Sequence, residues 1–175
     1  GWATDDGAGN PAANFGIEDQ MLHFDWSPTA TDFYQTATSP VADFAGATQA
    51  RLGFYLFFDD YSDTDNGTLD FYASISNDGF VTETFLMTHN DSTFGNIEEY
   101  MIFDVSDVAA GSDGWQLRFT VTGATSFTMD HLWIDDVIVE SDIYMGPSAF
   151  NLLAPSDAEA VGITTANVTT GSLLF

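Results

Sequence analysis

His131-Leu132-Trp133-Ile134-Asp135-Asp136-Val137-Ile138-Val139 decides how this chain is read. Apolar and β-branched residues dominate the stretch, which reads as a β-strand, yet two adjacent carboxylates interrupt it. Asp is depleted in strands, and an unpaired carboxylate is costly to bury. The pair therefore points to a bound cation, a bulge at a strand end, or both.

Working back from that strand, alternation recurs between polar turns, and helical periodicity is nearly absent. In Arg51 to Phe58, one face carries Leu52, Phe54, Leu56 and Phe58 and the other carries Gly53, Tyr55 and Phe57. Leu69, Phe71, Ala73 and Ile75 form the next inward face, and Asn77-Asp78-Gly79 is a hairpin signal. Val81 to His89 is expected to return as a strand. Tyr100 to Val105 is another, followed by one helical turn in Ser106 to Gly111. Trp115, Leu117, Phe119 and Val121 alternate with Gln116, Arg118, Thr120 and Thr122, as a half-buried strand should. Met21 to Trp26 is expected to be a strand, and the Gly/Ala/Asp/Asn-rich start to about Asn14 a loop or edge strand. Many short antiparallel strands predict an all-β, two-sheet sandwich.

The order of phrases is itself informative. Ser39-Pro40-Val41-Ala42-Asp43-Phe44 is followed by the apolar strand Ala50 to Phe58, then Ile75-Ser76-Asn77-Asp78-Gly79-Phe80. Met101-Ile102-Phe103-Asp104-Val105-Ser106, Trp115-Gln116-Leu117-Arg118-Phe119 and Trp133-Ile134-Asp135-Asp136-Val137 complete it. This order resembles the jelly-roll modules of secreted bacterial proteins in the cleaved-adhesin, choice-of-anchor J and MAM-like group, over roughly residues 1–140. The resemblance implies a jelly roll over 1–142, a secreted or cell-surface location, and a structural calcium between the last strand and the N-terminal segment. Carried across, that site is Asp135 and Asp136 with Asp5, Asp6 or Asp25 as partners. Calcium takes about six to eight oxygens, usually from several carboxylates. The alternative is a solvent-facing Asp beside one that caps a turn. Which of the two points inward is open, because a bulge inverts the alternation.

After Glu140 the character changes. Residues 143–148 contain Gly146-Pro147 and read as a linker. Ala149 to Asp157 and Gly171 to Phe175 resemble the first two strands of a fibronectin-III-like or Ig-like module. Two strands do not bury such a core alone, so 149–175 is expected to be a fragment of a longer multidomain protein. The alternative is a tail that pairs with another chain's sheet edge, giving self-association through 146–175.

Hydrophobic residues make up 45% and aromatics 15%, which fits a packed core. Lys and Arg total 2 against 27 Asp and Glu, for a net charge of −25. That field repels nucleic acid and anionic membranes. Calcium binding, a saline habitat and simple solubility each account for it. Cysteine is absent, which removes disulfides and thiolate chemistry. No apolar run reaches the roughly 18 residues of a membrane-spanning helix. The chain opens at Gly1-Trp2, so any signal peptide is expected to have been removed or to lie outside the sequence.

Tyr55, Phe57 and Tyr72 stand opposite the apolar faces, with Gln116 and Arg118 beside them, and suit a carbohydrate platform; the alternative is packing under a covering element. Asp59, Asp60, Asp63, Asp65 and Asn66 lack the spacing of a calcium loop and read as a solvated turn. Trp2, Trp26, Trp115 and Trp133 read as core or rim residues. His23, His89 and His131 show no zinc spacing and read as isolated surface or turn residues. No Gly-x-Ser-x-Gly elbow or phosphate loop is present, and the expectation is a non-enzyme. The expected function is adhesion or carbohydrate targeting with polysaccharide as ligand and calcium as stabiliser. The alternative is a structural spacer or self-assembling subunit.

Overall fold

A computed structural model of the chain describes residues 1–5, 7, 15–61, 69–90, 96–142 and 171–174, the last four and Asp60 by backbone alone. Among the described residues, eleven strands build two antiparallel sheets, the first ten being β1 (Ala3–Asp5), β2 (Phe15–Glu18), β3 (Met21–Phe24), β4 (Thr31–Thr38), β5 (Ala50–Asp60), β6 (Leu69–Ser76), β7 (Thr84–Asn90), β8 (Ile97–Asp104), β9 (Gln116–Thr125) and β10 (Met129–Ser141). A short helix, α1 (Ser106–Ala109), lies between β8 and β9, and β11 (Gly171–Leu174) comes last. The first sheet runs β1-β4-β9-β6-β7 and the second β2-β3-β10-β5-β8, with β11 beside β10. The result is the expected jelly-roll β-sandwich.

Alternation places the core where the sequence puts it. Leu52, Phe54, Leu56 and Phe58 are buried, as are Trp115, Leu117, Phe119 and Val121. Aromatic pairs bridge the layers: Phe54 on β5 meets Phe119 on β9 edge-on at 5.0 Å, and Phe24 on β3 stacks on Phe33 of β4 at 5.9 Å. His89 is buried against Phe58 at 4.5 Å, a core position rather than the surface or turn expected of it. Trp115 packs in the core against Phe44.

The start of β7 differs from expectation. Asp78 accepts hydrogen bonds from the backbone N–H and hydroxyl of Thr82 and from the Ser76 hydroxyl. Gly79 and Phe80 both take positive φ, 72° and 64°. That turn holds the chain out of the sheet until Thr84. Strands β2 and β4 were not anticipated. In β4 the inward face includes Gln35, so its alternation of apolar with polar residues is blurred.

Sheet position β10 is central. Its first half pairs with β3 at Leu132–Ile134, and its last part pairs with β11 at Ile138–Ser141. Gly171–Leu174, part of the stretch expected to be the second strand of a further module, thus adds to this sheet. Residues 143–170, including the remaining Ig-like or fibronectin-III-like expectation, lie outside the described residues.

Candidate functional site

The Asp135-Asp136 pair forms a β-bulge. Asp135 pairs with Tyr55 and Ile138 with Gly53, so Asp136 and Val137 together oppose Phe54. Asp136 takes φ 49°, the left-handed conformation that the first residue of such a bulge adopts, and its N–H donates to Oδ1 of Asp135 at 2.7 Å. The extra residue restores the alternation, so Ile134 and Val137 both point inward while Asp135 and Asp136 lie outside the core. Neither carboxylate of the pair is buried.

Of the other carboxylates expected at this site, Asp5 and Asp25 are elsewhere. Asp5 pairs with Thr36 on the edge of the opposite sheet, and its Oδ1 accepts the Gly7 N–H. Phe24 pairs with Leu132, so Asp25 falls beside His131, at the far end of that pairing from Asp135; it accepts the Ser27 N–H. Asp6, Asp63, Asp65 and Asn66 lie outside the described residues. Among the described residues no three potential metal ligands come together. Two carboxylates at a bulge fall short of the oxygen set calcium takes. The described donors therefore do not fit a built calcium site.

The platform residues divide between two faces. Tyr55 and Phe57 stand on the outer face of the β2-β3-β10-β5-β8 sheet. Tyr72 and Arg118 stand on the outer face of the other sheet, because β5 and β6 enter different layers. Tyr72 packs edge-on against Phe85 at 5.7 Å, and its hydroxyl pKa is raised by burial and then by Asp70. Arg118 places its guanidinium 3.5 Å from the Phe80 ring centre and donates from Nε to Thr38. The four side chains do not form one platform.

The face bearing Tyr55 and Phe57 is the richer one. His23 pairs with Trp133, Trp133 with Phe57, and Phe57 with Glu98, giving one row across four strands. The rings of His23 and Trp133 are 4.7 Å apart, and His131 meets Trp133 at 6.2 Å. In the next row Asp135, Tyr55 and Tyr100 stand side by side. The Tyr55 hydroxyl donates to Glu98 Oε1 at 3.0 Å; burial and then that contact raise its pKa. Tyr100 lies against Gly53 beside a shallow hollow lined by Arg51, Gly53, Ile102, Ile138 and Glu140. Its hydroxyl pKa is raised by burial, then by Asp136 and Glu140. His23, Tyr55, Phe57 and Trp133 are half-buried and Tyr100 is exposed. From sequence, Trp133 reads as a core or rim residue, His23 as an isolated surface or turn residue and Tyr100 only as part of a strand; the outward register of Trp133 in the alternation of β10 was the available signal.

No family model matches the chain, and no curated protein is similar to it. Among solved structures, it is similar to the K1 cleaved adhesin domain of Lys-gingipain from Porphyromonas gingivalis W83. That match has a TM-score of 0.52 and 14% identity over 79% of this chain and 89% of that one. The K3 cleaved adhesin domain of the same protein gives 0.46 at 15% identity, over 79% and 90%. A non-crystalline cellulose specific carbohydrate-binding module gives 0.41 at 10% identity, over 70% and 76%. The chain shares the jelly-roll β-sandwich fold of the K1 adhesin domain.

Proposed function

We propose that this chain is a non-catalytic, extracellular adhesion module that holds carbohydrate on the outer face of the β2-β3-β10-β5-β8 sheet. The observation that supports this reading is the pair of aromatic rows, His23-Trp133-Phe57 and Tyr55-Tyr100, turned away from the core, with Tyr100 exposed and the other rings half-buried among the described residues. Aromatic rings that are not needed in a core commonly mark a binding surface. The fold likeness to the K1 adhesin domain supports a non-catalytic role in the same sense. Calcium's part is as a counter-ion to the net charge of −25 rather than at one assembled site.

Retention on polysaccharide columns tests the reading. Trp133→Ala and Tyr55→Ala should abolish retention, while Tyr72→Ala, on the opposite face, should leave it intact. Loss with Tyr72→Ala alone would move the site to the other sheet. No retention on any polysaccharide would end the carbohydrate reading.

A spacer or self-assembling role has one observation in its favour. β11 completes the sheet beside β10 from a remote part of the chain, so the same place can take a strand from a second copy. Deleting residues 143–175 and measuring the mass in solution tests this. A fall from oligomer to monomer would favour it, and an unchanged monomer would oppose it.

A further inference from the structure

The aromatic rows carry a charge pattern that narrows their ligand, and we infer that they take an amine-bearing glycan, a polymer of protonated amino sugars. This rests on the carbohydrate reading above. Several carboxylates flank the rings, among them Glu18, 3.5 Å from the His23 Nδ1. Glu98 ends the first row and is bonded to Tyr55; Asp135 stands beside Tyr55 in the second. Asp59 pairs with His131 next to Trp133, and Asp136 is close enough to raise the Tyr100 pKa. Arg51, the arginine of this face, is two rows farther on, between Glu140 and Asp104. Arg118 is on the opposite sheet.

The physical consequence is direct. An ammonium near an indole or phenol ring is attracted by the negative ring face, and a neighbouring carboxylate adds a charge-assisted hydrogen bond. Neutral sugars gain the ring contact and hydroxyl hydrogen bonds to the carboxylates, without the charge pairing. Uronates and sulfated sugars meet like charge, which disfavours them at this face. The rows suit a flat chain of rings: His23, Trp133 and Phe57 lie on adjacent strands, spaced at about 4.8 Å each.

A chain of this net charge attracts any polycation, so the test separates built recognition from general attraction. Titration calorimetry in about 0.15 M salt would compare hexamers of glucosamine, N-acetylglucosamine, glucose and galacturonate, and a basic peptide. The glucosamine hexamer should bind best. Glu98→Gln/Asp135→Asn, which removes the charge and keeps one oxygen acceptor on each side chain, should weaken it roughly tenfold or more, as should Trp133→Ala. Asp32→Asn/Asp113→Asn removes the same charge from exposed positions off this face and should leave binding unchanged. Equal loss in that control would reduce the effect to general charge. Equal affinity for the neutral hexamers would overturn the amine preference and keep the carbohydrate reading. Binding of the basic peptide alone would make the partner a protein. Absence of all binding would remove both readings.

Discussion

The ring of Tyr100 on edge strand β8 lies across Gly53 of β5, where a methyl group would come within 2.9 Å of ring atoms Cε1 and Cζ. The missing side chain of one strand is thus filled by an aromatic ring from its neighbour, which keeps the sheet covered and holds the ring against the hollow beside Ile138.

Gly53→Ala should push the Tyr100 ring outward. The ring is exposed and can swing into water, so the cost in stability should be small, under about 1 kcal/mol. Near-ultraviolet circular dichroism should change, and ligand retention should fall. In a Tyr100→Ala background the same substitution should cost less, which thermal unfolding of the four variants would reveal.

Asp136→Gly should be neutral or stabilising by up to about 1 kcal/mol, because glycine adopts the left-handed bulge position freely. Asp136→Val should destabilise by about 1–3 kcal/mol, since a β-branched residue resists positive φ. Urea unfolding checks both. Equal stability of the two variants would mean the bulge tolerates any residue.

Phe119 touches Phe54 across the layers, Phe71 on its own sheet and Trp2 from the N-terminal segment. It is fully buried, so Phe119→Ala should cost about 3–5 kcal/mol. Phe85→Ala, exposed on the same sheet, should cost far less. Denaturant midpoints at unchanged slope would measure the contrast.

Acid should act in a defined window. Bonds from Thr82 and Ser76 hold Asp78 at a pKa of about 2, against an ordinary 3.8. Asp104 is lowered by Ser106, and Asp142 by Thr48 and Gln49. A carboxylate with a depressed folded pKa binds fewer protons when folded than when unfolded. Its stabilisation is complete above 3.8 and is lost as pH falls towards 2. Melting temperature should drop over that interval, and Asp78→Asn should shrink the drop. A drop confined to higher pH would point to other groups.

Much of the fold was legible because alternation is a local property. Leu52, Phe54, Leu56 and Phe58 announce an inward face on their own, and so do Trp115, Leu117, Phe119 and Val121. Asp135-Asp136 announces an interruption, since strands seldom carry two carboxylates together. β4 hid because Gln35 stands at an inward position, and the buried place of His89 depends on Phe58 from another strand.

The sequence by itself determined the all-β class, the inward and outward sides of most strands, and the net charge of −25. Tertiary structure alone decided which outward residues share a face. Tyr55 and Tyr72 stand on consecutive strands in the chain but on opposite sheets of the sandwich in space, because β5 pairs with β10 and β8 while β6 pairs with β9 and β7. A period of two says which way a side chain points from its own strand. Partner choice among distant strands sets its neighbours, and those pairings placed Trp133 between His23 and Phe57.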